Sequence, residues 1–213
     1  MEIFKLVFNP INVNTYILAD KSGDCAIIDC GCYDRDEFME LTDLIEGKKL
    51  KPVLLLNTHC HLDHIFGNRF MLEKYNLGTL YHREDEQNRE NSVNHAIMFG
   101  LSMEIPPVPV GFLTEHQTIS FGTTDLVVLH VPGHSRGSVA FYCRSDKTVF
   151  TGDALFAGSI GRTDLPGGNY ETLINSIRKK LFTLPADTVV YPGHGNETTI
   201  GTEIESNPFF KLQ

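Results

Sequence analysis

A cluster of side chains that can bind metal lies in the stretch NTHCHLDHIFGN, residues 57–68. The apolar run Val53–Leu56 directly precedes this stretch and is typical of a buried strand. Neutral imidazole and carboxylate groups are ligands that zinc, iron and manganese accept. The spacing therefore predicts a metal-binding loop at the end of a buried strand. Its candidate ligands are His59, His61, Asp63 and His64.

Three more candidate ligands stand beside glycine at the ends of β-rich runs. They are His134 in VPGHSRGS, Asp153 in FTGDALF and His194 in YPGHGNET. A strand end holds a side chain rigidly, the loop after it leaves access for a substrate, and glycine allows a sharp turn there. If these strands end on one side of the fold, all seven donors converge.

Seven converging donors exceed what one four-coordinate ion needs. Five imidazoles and two carboxylates suffice for two ions that share a bridging carboxylate. Two divalent metals about 3.5–4 Å apart lower the pKa of a bridging water and polarise a carbonyl or phosphoryl oxygen. We expect zinc, and iron or manganese would accept the same donors. The pattern therefore predicts metal-assisted hydrolysis of a small molecule.

Strand and helix signals surround these motifs along the chain. Strands are predicted at 3–9, 14–20, 25–30, 53–57, 79–82, 117–121, 125–131, 138–143, 147–151 and 187–191. Helices are predicted at 35–46, 84–99, 170–182 and 198–206, with further helical spacing from Phe66 to Tyr75. Many hairpins with helices between them predict an α+β fold with two facing mixed β-sheets flanked by helices. We expect one domain, residues 1–213.

Composition excludes several classes of partner. The net charge is −9, from 18 Lys+Arg against 27 Asp+Glu, and no basic stripe offers a surface for nucleic acid. No apolar run approaches the roughly 20 residues of a membrane helix, and the N-terminus resembles a strand and not a secretory signal. The five cysteines lack the spacing of a disulfide framework, which predicts a cytoplasmic protein. Cys60 is predicted to point away from the ligands beside it and to pack in the core.

The sequence resembles the metallo-β-lactamase superfamily over nearly its whole length. The motifs THCHLDH, PGHSRGS, TGDALF and PGHG occur in the family's order. The resemblance implies an αββα sandwich with two metals at one edge between the sheets. It implies a first ion bound by His59, His61 and His134. It implies a second ion bound by Asp63, His64 and His194, with Asp153 as the bridge.

The resemblance also implies a mechanism, in which a metal-bound hydroxide attacks the substrate carbonyl. Asp63 and His64 are the catalytic pair that helps to position it, and Asp63 is the candidate proton acceptor. Asp153 stands where β-lactamases with a cysteine ligand have that cysteine, so no antibiotic substrate is expected.

Two further segments, GRTDLPGG (161–168) and TTIGTEIESNPFF (198–210), resemble the short single-domain relatives of glyoxalase II. Full-length glyoxalase II hydrolyses the thioester of hydroxyacylglutathione and carries a C-terminal helical domain that helps to bind glutathione. That domain is not expected here. The resemblance implies a thioesterase in which Arg162 either binds an anionic group of the substrate by bidentate pairing or structures its own loop.

Three alternatives stay open. A persulfide dioxygenase of the same superfamily would use one iron, bound by His59, His134 and Asp153, and it shares the GRTD segment at 161–164. A lactonase or phosphodiesterase would use the same bridging water. A non-catalytic metal-binding protein on an enzyme fold is the third, since fold does not determine function.

Overall fold

Two six-stranded mixed β-sheets with helices make up the computed structural model, which describes residues 1–211. The chain divides into two compact units. The first is Met1–Leu113 with Ser120–Thr124, and the second is Thr114–Ile119 with the chain from Asp125 on. The predicted α+β class with two mixed sheets is confirmed. The prediction of one domain over residues 1–213 stays a prediction.

The sheet of the first unit has its strands in the order in which they occur in the chain. They are β1 (Glu2–Phe8), β2 (Val13–Ala19), β3 (Asp24–Ile28), β4 (Lys51–Leu56), β5 (Thr79–His82) and β6 (Gly111–Leu113). β1 to β3 pair antiparallel, and β3 to β6 pair parallel. Because β3 and β4 are parallel, their carboxyl ends lie at the same edge of the sheet. Asp29 and the loop that starts at Asn57 therefore begin side by side.

The helices of the first unit are mostly amphipathic or short. They are α1 (Arg35–Gly47), α2 (Leu62–Ile65), α3 (Asn68–Tyr75) and α4 (Glu86–Met98), with a 3₁₀ turn at Arg83–Asp85. α1 begins where the Asp34 side chain accepts hydrogen bonds from two backbone N–H groups of the first turn. Its apolar face, including Leu41 and Ile45, is buried in a core with residues of the first sheet. This packing anchors the sheet edge that carries the site.

The second sheet has the strand order β14-β13-β10-β9-β8-β7. The strands of the second half are β7 (Thr118–Phe121), β8 (Thr124–His130), β9 (Val139–Cys143), β10 (Thr148–Gly152), the hairpin β11 (Leu155–Phe156) and β12 (Ser159–Ile160), β13 (Val189–Pro192) and β14 (Thr198–Thr199). β9 is antiparallel to β8 and to β10, and β13 is parallel to β10. β8, β10 and β13 therefore run in one direction and end at one edge. The helices are α5 (Tyr170–Ser176), continued by a π-helical turn at Ile177–Leu181, and α6 (Ile200–Ser206).

Several predicted boundaries were wrong, each for a local reason. β3 ends at Ile28 because Asp29 adopts φ 53°, in the left-handed region, and leaves the strand. β4 begins before Pro52, which pairs with Cys25 at a register irregularity. Residues 198–199 form a short strand and not the start of a helix. The strands β6, β11 and β12 were not predicted because two or three residues carry no readable periodicity.

All five cysteines are free and buried. Cys60 packs in a buried cluster with Ile65 and Tyr81, so its predicted core role is confirmed. Within residues 1–211, no helix has the length and apolar character that a membrane crossing requires.

Candidate metal centre

Four of the predicted ligands lie together in the first unit. His59 and His61 lie in the loop after β4, and Asp63 and His64 belong to α2, so all four follow from one strand end. The Nε2 atom of His59 lies 3.1 Å from Nδ1 of His61. The Nε2 atom of His64 lies 3.5 Å from Oδ2 of Asp63. All four side chains are buried, so the loop turns its donor atoms into the protein.

The other three predicted ligands lie together in the second unit. His134, Asp153 and His194 follow β8, β10 and β13, the three strands that end at one edge. Oδ2 of Asp153 lies 3.6 Å from Nε2 of His134 and 3.6 Å from Nε2 of His194. One carboxylate oxygen thus faces two imidazoles at equal distance, which suits either three ligands of one ion or a carboxylate shared by two ions.

Both groups of donors fit divalent transition metals. A tetrahedral ion with ligand bonds of 2.0–2.1 Å holds its ligand atoms about 3.3 Å apart. The separations within the two groups are 3.1, 3.5, 3.6 and 3.6 Å. The donor atoms are imidazole nitrogens and carboxylate oxygens, the kinds that zinc, iron and manganese accept. Each unit therefore presents part of a metal site with suitable spacing.

Asp29 orients the first group of ligands, although the sequence analysis did not identify it. The Thr58 hydroxyl donates to Asp29 Oδ2 at 2.7 Å, and His59 Nδ1 lies 3.1 Å from that hydroxyl oxygen. Because the hydroxyl hydrogen points to Asp29, the oxygen accepts from His59 Nδ1–H. This assigns the His59 tautomer and leaves its Nε2 lone pair for a metal.

The same carboxylate also reaches a second ligand. Oδ2 of Asp29 lies 2.9 Å from Nδ1 of His64, and Oδ1 accepts the Thr58 backbone N–H at 2.8 Å. Asp29 is 1% exposed, so its oxygens are held within the fold. It was missed because CAIIDC was interpreted as one strand. The sequence signal that could have identified it is that Asp29 is the single acidic residue in the otherwise apolar run 25–30.

Asp85 holds the backbone between two ligands. Its Oδ2 accepts the N–H of Cys60 at 2.6 Å, and Cys60 stands between His59 and His61. Burial raises the pKa of the Cys60 thiol well above its ordinary value, and the Asp85 charge raises it further. Cys60 therefore stays a protonated packing residue and does not supply a thiolate.

His134 is oriented by a backbone carbonyl of the GRTD segment. Its Nδ1 donates to the carbonyl oxygen of Arg162 at 2.8 Å, which leaves Nε2 for a metal. This contact requires glycine at position 161, because a Cβ there would lie 1.8 Å from the Asp153 carbonyl oxygen and 3.1 Å from His134 Nδ1. The segment thus orients His134 through its backbone and packs closely against the backbone of Asp153.

The Arg162 side chain, which was predicted to bind an anionic group of the substrate, is paired within its own loop. Its Nε and Nη2 each donate to Asp164 at 2.8 Å. This hydrogen bonding lowers the pKa of Asp164 to about 2 and raises that of Arg162. Both side chains are exposed, so the pair is accessible to a competing anion. The substrate role of Arg162 stays a prediction.

The sequence matches the family model described as the metallo-beta-lactamase superfamily over residues 8–194. The probable metallo-hydrolase YqgX of Bacillus subtilis is 39% identical over 210 residues, which cover 96% of this chain and 95% of that protein. The hydroxyacylglutathione hydrolase GloC of Haemophilus influenzae is 39% identical over 200 residues, 92% of each chain. These relatives match at nearly full length.

Known structures share the fold. The crystal structure of BLEG-1 B3 metallo-beta-lactamase superposes with a TM-score of 0.91 at 32% identity, covering 99% of this chain and 100% of that one. The structure of TTHA1623 in a di-iron-bound form superposes with a TM-score of 0.87 at 39% identity, covering 97% and 99%. The fold class predicted from the sequence, two mixed β-sheets flanked by helices, is thereby confirmed.

Proposed function

This chain belongs to the metallo-beta-lactamase superfamily, and from that premise we propose that it is a dinuclear metallohydrolase that cleaves a thioester. The observation that carries the proposal is the position of Asp153, whose Oδ2 lies 3.6 Å from the Nε2 atoms of both His134 and His194. A carboxylate that faces two metal-binding histidines suits a bridge between two ions.

The proposed centre joins the donors of both units around two ions. One ion would be bound by His59, His61 and His134. The other would be bound by Asp63, His64 and His194, and Asp153 would contact both. Zinc is the ion that we propose, with iron or manganese as alternatives, since all three accept these donors. When bound, such a pair lowers the pKa of water and polarises a carbonyl oxygen.

The residues of this chain would then act by orientation and proton transfer. Asp29 fixes the ring of His64 directly and the ring of His59 through the Thr58 hydroxyl, and the Arg162 carbonyl fixes the ring of His134. Asp63 would accept the proton that the attacking water loses as its oxygen bonds to the acyl carbon. The carbon–sulfur bond then breaks and the thiol leaves with a proton. The net reaction converts a thioester and water into a carboxylic acid and a thiol.

The thioester is supported by a relative and by sequence motifs. GloC of Haemophilus influenzae is named for hydrolysis of hydroxyacylglutathione. TTHA1623 was crystallised with two irons, which supports a dinuclear centre. BLEG-1 is named a B3 metallo-beta-lactamase, so β-lactam hydrolysis, which the position of Asp153 led us not to expect, is the second candidate function to test. The persulfide dioxygenase with one iron shares the GRTD segment at 161–164 and stays a further alternative.

Metal analysis combined with a substrate panel tests this proposal. We expect protein purified without added metal to contain about two divalent ions per chain, as a two-metal hydrolase requires. It should hydrolyse S-lactoylglutathione, and chelation should abolish the activity until metal is restored. Oxygen uptake with glutathione persulfide, at one iron per chain, would contradict the proposal in favour of the dioxygenase. Hydrolysis of a chromogenic cephalosporin without thioester hydrolysis would contradict it in favour of the β-lactamase.

Substitutions of Arg162 and of its partner Asp164 should change KM for anionic thioesters in opposite directions. We expect Arg162→Ala to raise KM for S-lactoylglutathione about tenfold, because a charge-assisted bidentate pair is lost. Asp164→Asn should lower KM, because it releases the guanidinium from its competing carboxylate. Neither change should alter KM for a neutral N-acetylcysteamine thioester. Equal effects of Arg162→Ala on both substrates would contradict the anion-binding role.

A further inference from the structure

The segment TTIGTEIESNPFF (198–210) plays no part in the chemistry proposed above, yet it contains two buried polar side chains. Glu203 belongs to α6 and Asn207 directly follows that helix, and their exposed fractions are 1% and 0%. A polar side chain that is removed from water destabilises the fold unless it is hydrogen-bonded. The partners of these two side chains therefore indicate what the segment stabilises.

Both side chains bind the turn of the hairpin β11–β12. Glu203 Oε2 accepts the backbone N–H of Gly158 at 3.0 Å and an amide N–H of Asn207 at 2.7 Å. The Asn207 amide also donates to the carbonyl oxygen of Ser159 at 3.0 Å. The Thr198 hydroxyl donates to Glu203 Oε1 at 2.7 Å, which orients the carboxylate. One carboxylate and one amide thus attach the end of the chain to two consecutive residues of the hairpin.

The base of the hairpin supports two of the predicted metal ligands. Asp153 lies two residues before the hairpin and Gly161 directly follows it. Gly161 lies so close to the backbone of Asp153 that a Cβ there would clash with the Asp153 carbonyl oxygen. The next residue, Arg162, accepts a hydrogen bond from His134 Nδ1 at 2.8 Å through its carbonyl oxygen. A displacement of the hairpin would therefore move both the Asp153 backbone and the acceptor that orients His134.

The third predicted ligand of the second unit is contacted by the first strand of the hairpin. Phe156 in β11 pairs with Ser159 in β12, the residue whose carbonyl accepts from Asn207. The rings of Phe156 and His194 meet edge to face with centroids 6.3 Å apart. The hairpin and the residues that flank it thus contact all three predicted ligands of the second unit.

We propose that α6 positions the metal ligands of the second unit through this hairpin, and that Glu203 is the positioning residue. Metal ligands have to be held within about 0.5 Å of their working geometry. A hairpin of two-residue strands is too short to keep its own position, so it depends on the element that holds it. The inference rests on the metal centre of the proposed function and not on the substrate that the centre cleaves.

The affinity for zinc, measured by competition with a chromophoric chelator, tests this role without any turnover. Glu203→Ala should lower the affinity about 10–100-fold, as does the loss of other groups that orient metal ligands. Glu203→Gln should keep most of the affinity. One amide oxygen can still accept from Gly158 and Asn207, and the Thr198 hydroxyl can turn to accept from the amide nitrogen.

Thr199→Ala is the matched control for the stability of α6. The Thr199 hydroxyl accepts the backbone N–H of Thr202 and caps the helix, and it does not contact the hairpin turn. Its removal weakens the same helix and leaves the Glu203 carboxylate in place. The control should therefore retain the zinc affinity of the wild-type protein.

Amide hydrogen exchange in the metal-free protein tests the attachment itself. Backbone amides of the hairpin, residues 155–160, should exchange at least about tenfold faster in Glu203→Ala than in the wild-type protein, because local opening becomes easier. Amides of β10 should be unchanged. If Glu203→Ala does not fold, Asn207→Ala takes its place with the same expectations, since it removes the hydrogen bond to Ser159 and retains the one from Gly158.

Three outcomes would count against the inference. Wild-type zinc affinity in Glu203→Ala would overturn it, and so would an equal loss of affinity in Thr199→Ala. Faster hairpin exchange with unchanged zinc affinity would also overturn it, because the hairpin would then not control the ligands. A wild-type protein that binds no divalent metal would contradict the proposed metal centre and, with it, this inference.

Discussion

Replacing Asp153 with alanine is expected to remove bound metal together with activity. The substitution deletes the carboxylate that faces His134 and His194, each at 3.6 Å, and leaves two imidazoles without their shared neighbour. We expect metal content to fall from about two ions per chain to one or fewer. The rate constant kcat should fall at least about 1,000-fold, which corresponds to about 4 kcal/mol of activation free energy.

Elemental analysis and steady-state kinetics on the same protein preparation measure this effect. Asp187→Ala is the matched control, because Asp187 lies in the same unit and makes an exposed ion pair with Lys147. The control should retain both metal and kcat. An Asp153→Ala protein that kept two ions per chain would show that Asp153 does not bridge them, whatever its activity.

Replacing Asp29 should weaken metal binding without touching a metal ligand. Its carboxylate accepts from the Thr58 N–H and hydroxyl and contacts His64 Nδ1 at 2.9 Å. In Asp29→Asn the amide retains one oxygen acceptor and tolerates φ 53°, so the fold should persist. We expect the affinity for metal to fall about 10–100-fold, as when other groups that orient metal-binding histidines are removed.

The alanine variant at the same position should be more severe. Asp29→Ala leaves several buried donors without an acceptor, at a cost of about 1–3 kcal/mol each, and it places alanine in the left-handed region. Competition with a chromophoric chelator measures affinity, and denaturant unfolding of the metal-free protein measures stability. Asp24→Asn, at the half-buried start of β3, is the control and should change neither. Wild-type affinity in Asp29→Asn would contradict the orienting role.

Much of the architecture was predictable because its signals are local. The 3.6-residue spacing of Leu41 and Ile45 identified α1, and its boundaries differ from the prediction by one residue. The apolar runs before His59, His134 and Asp153 identified the strands that carry these ligands. Residue type was sufficient to nominate the seven donors, with an adjacent glycine as a further signal at three of them, because metal coordination selects few side chains.

The remaining features depend on contacts between residues far apart in the chain. Asp29 reaches Thr58 across 29 positions, through the parallel pairing of β3 and β4. Arg162 was chosen for its guanidinium, yet the structure uses its carbonyl, which every residue possesses. Sequence periodicity carries no information on such backbone partners or on the tautomer of a histidine. Orientation of the ligands therefore had to come from the structure.

The central claim is that the donors of both units bind one pair of ions. Anomalous diffraction from crystals of the metal-loaded protein, measured at the absorption edge of the bound metal, tests it most directly. The account predicts two peaks about 3.5–4 Å apart, with Asp153 in contact with both. His59 and His61 should contact one ion, and Asp63 and His64 the other. A single peak, or two ions each confined to the donors of one unit, would contradict it.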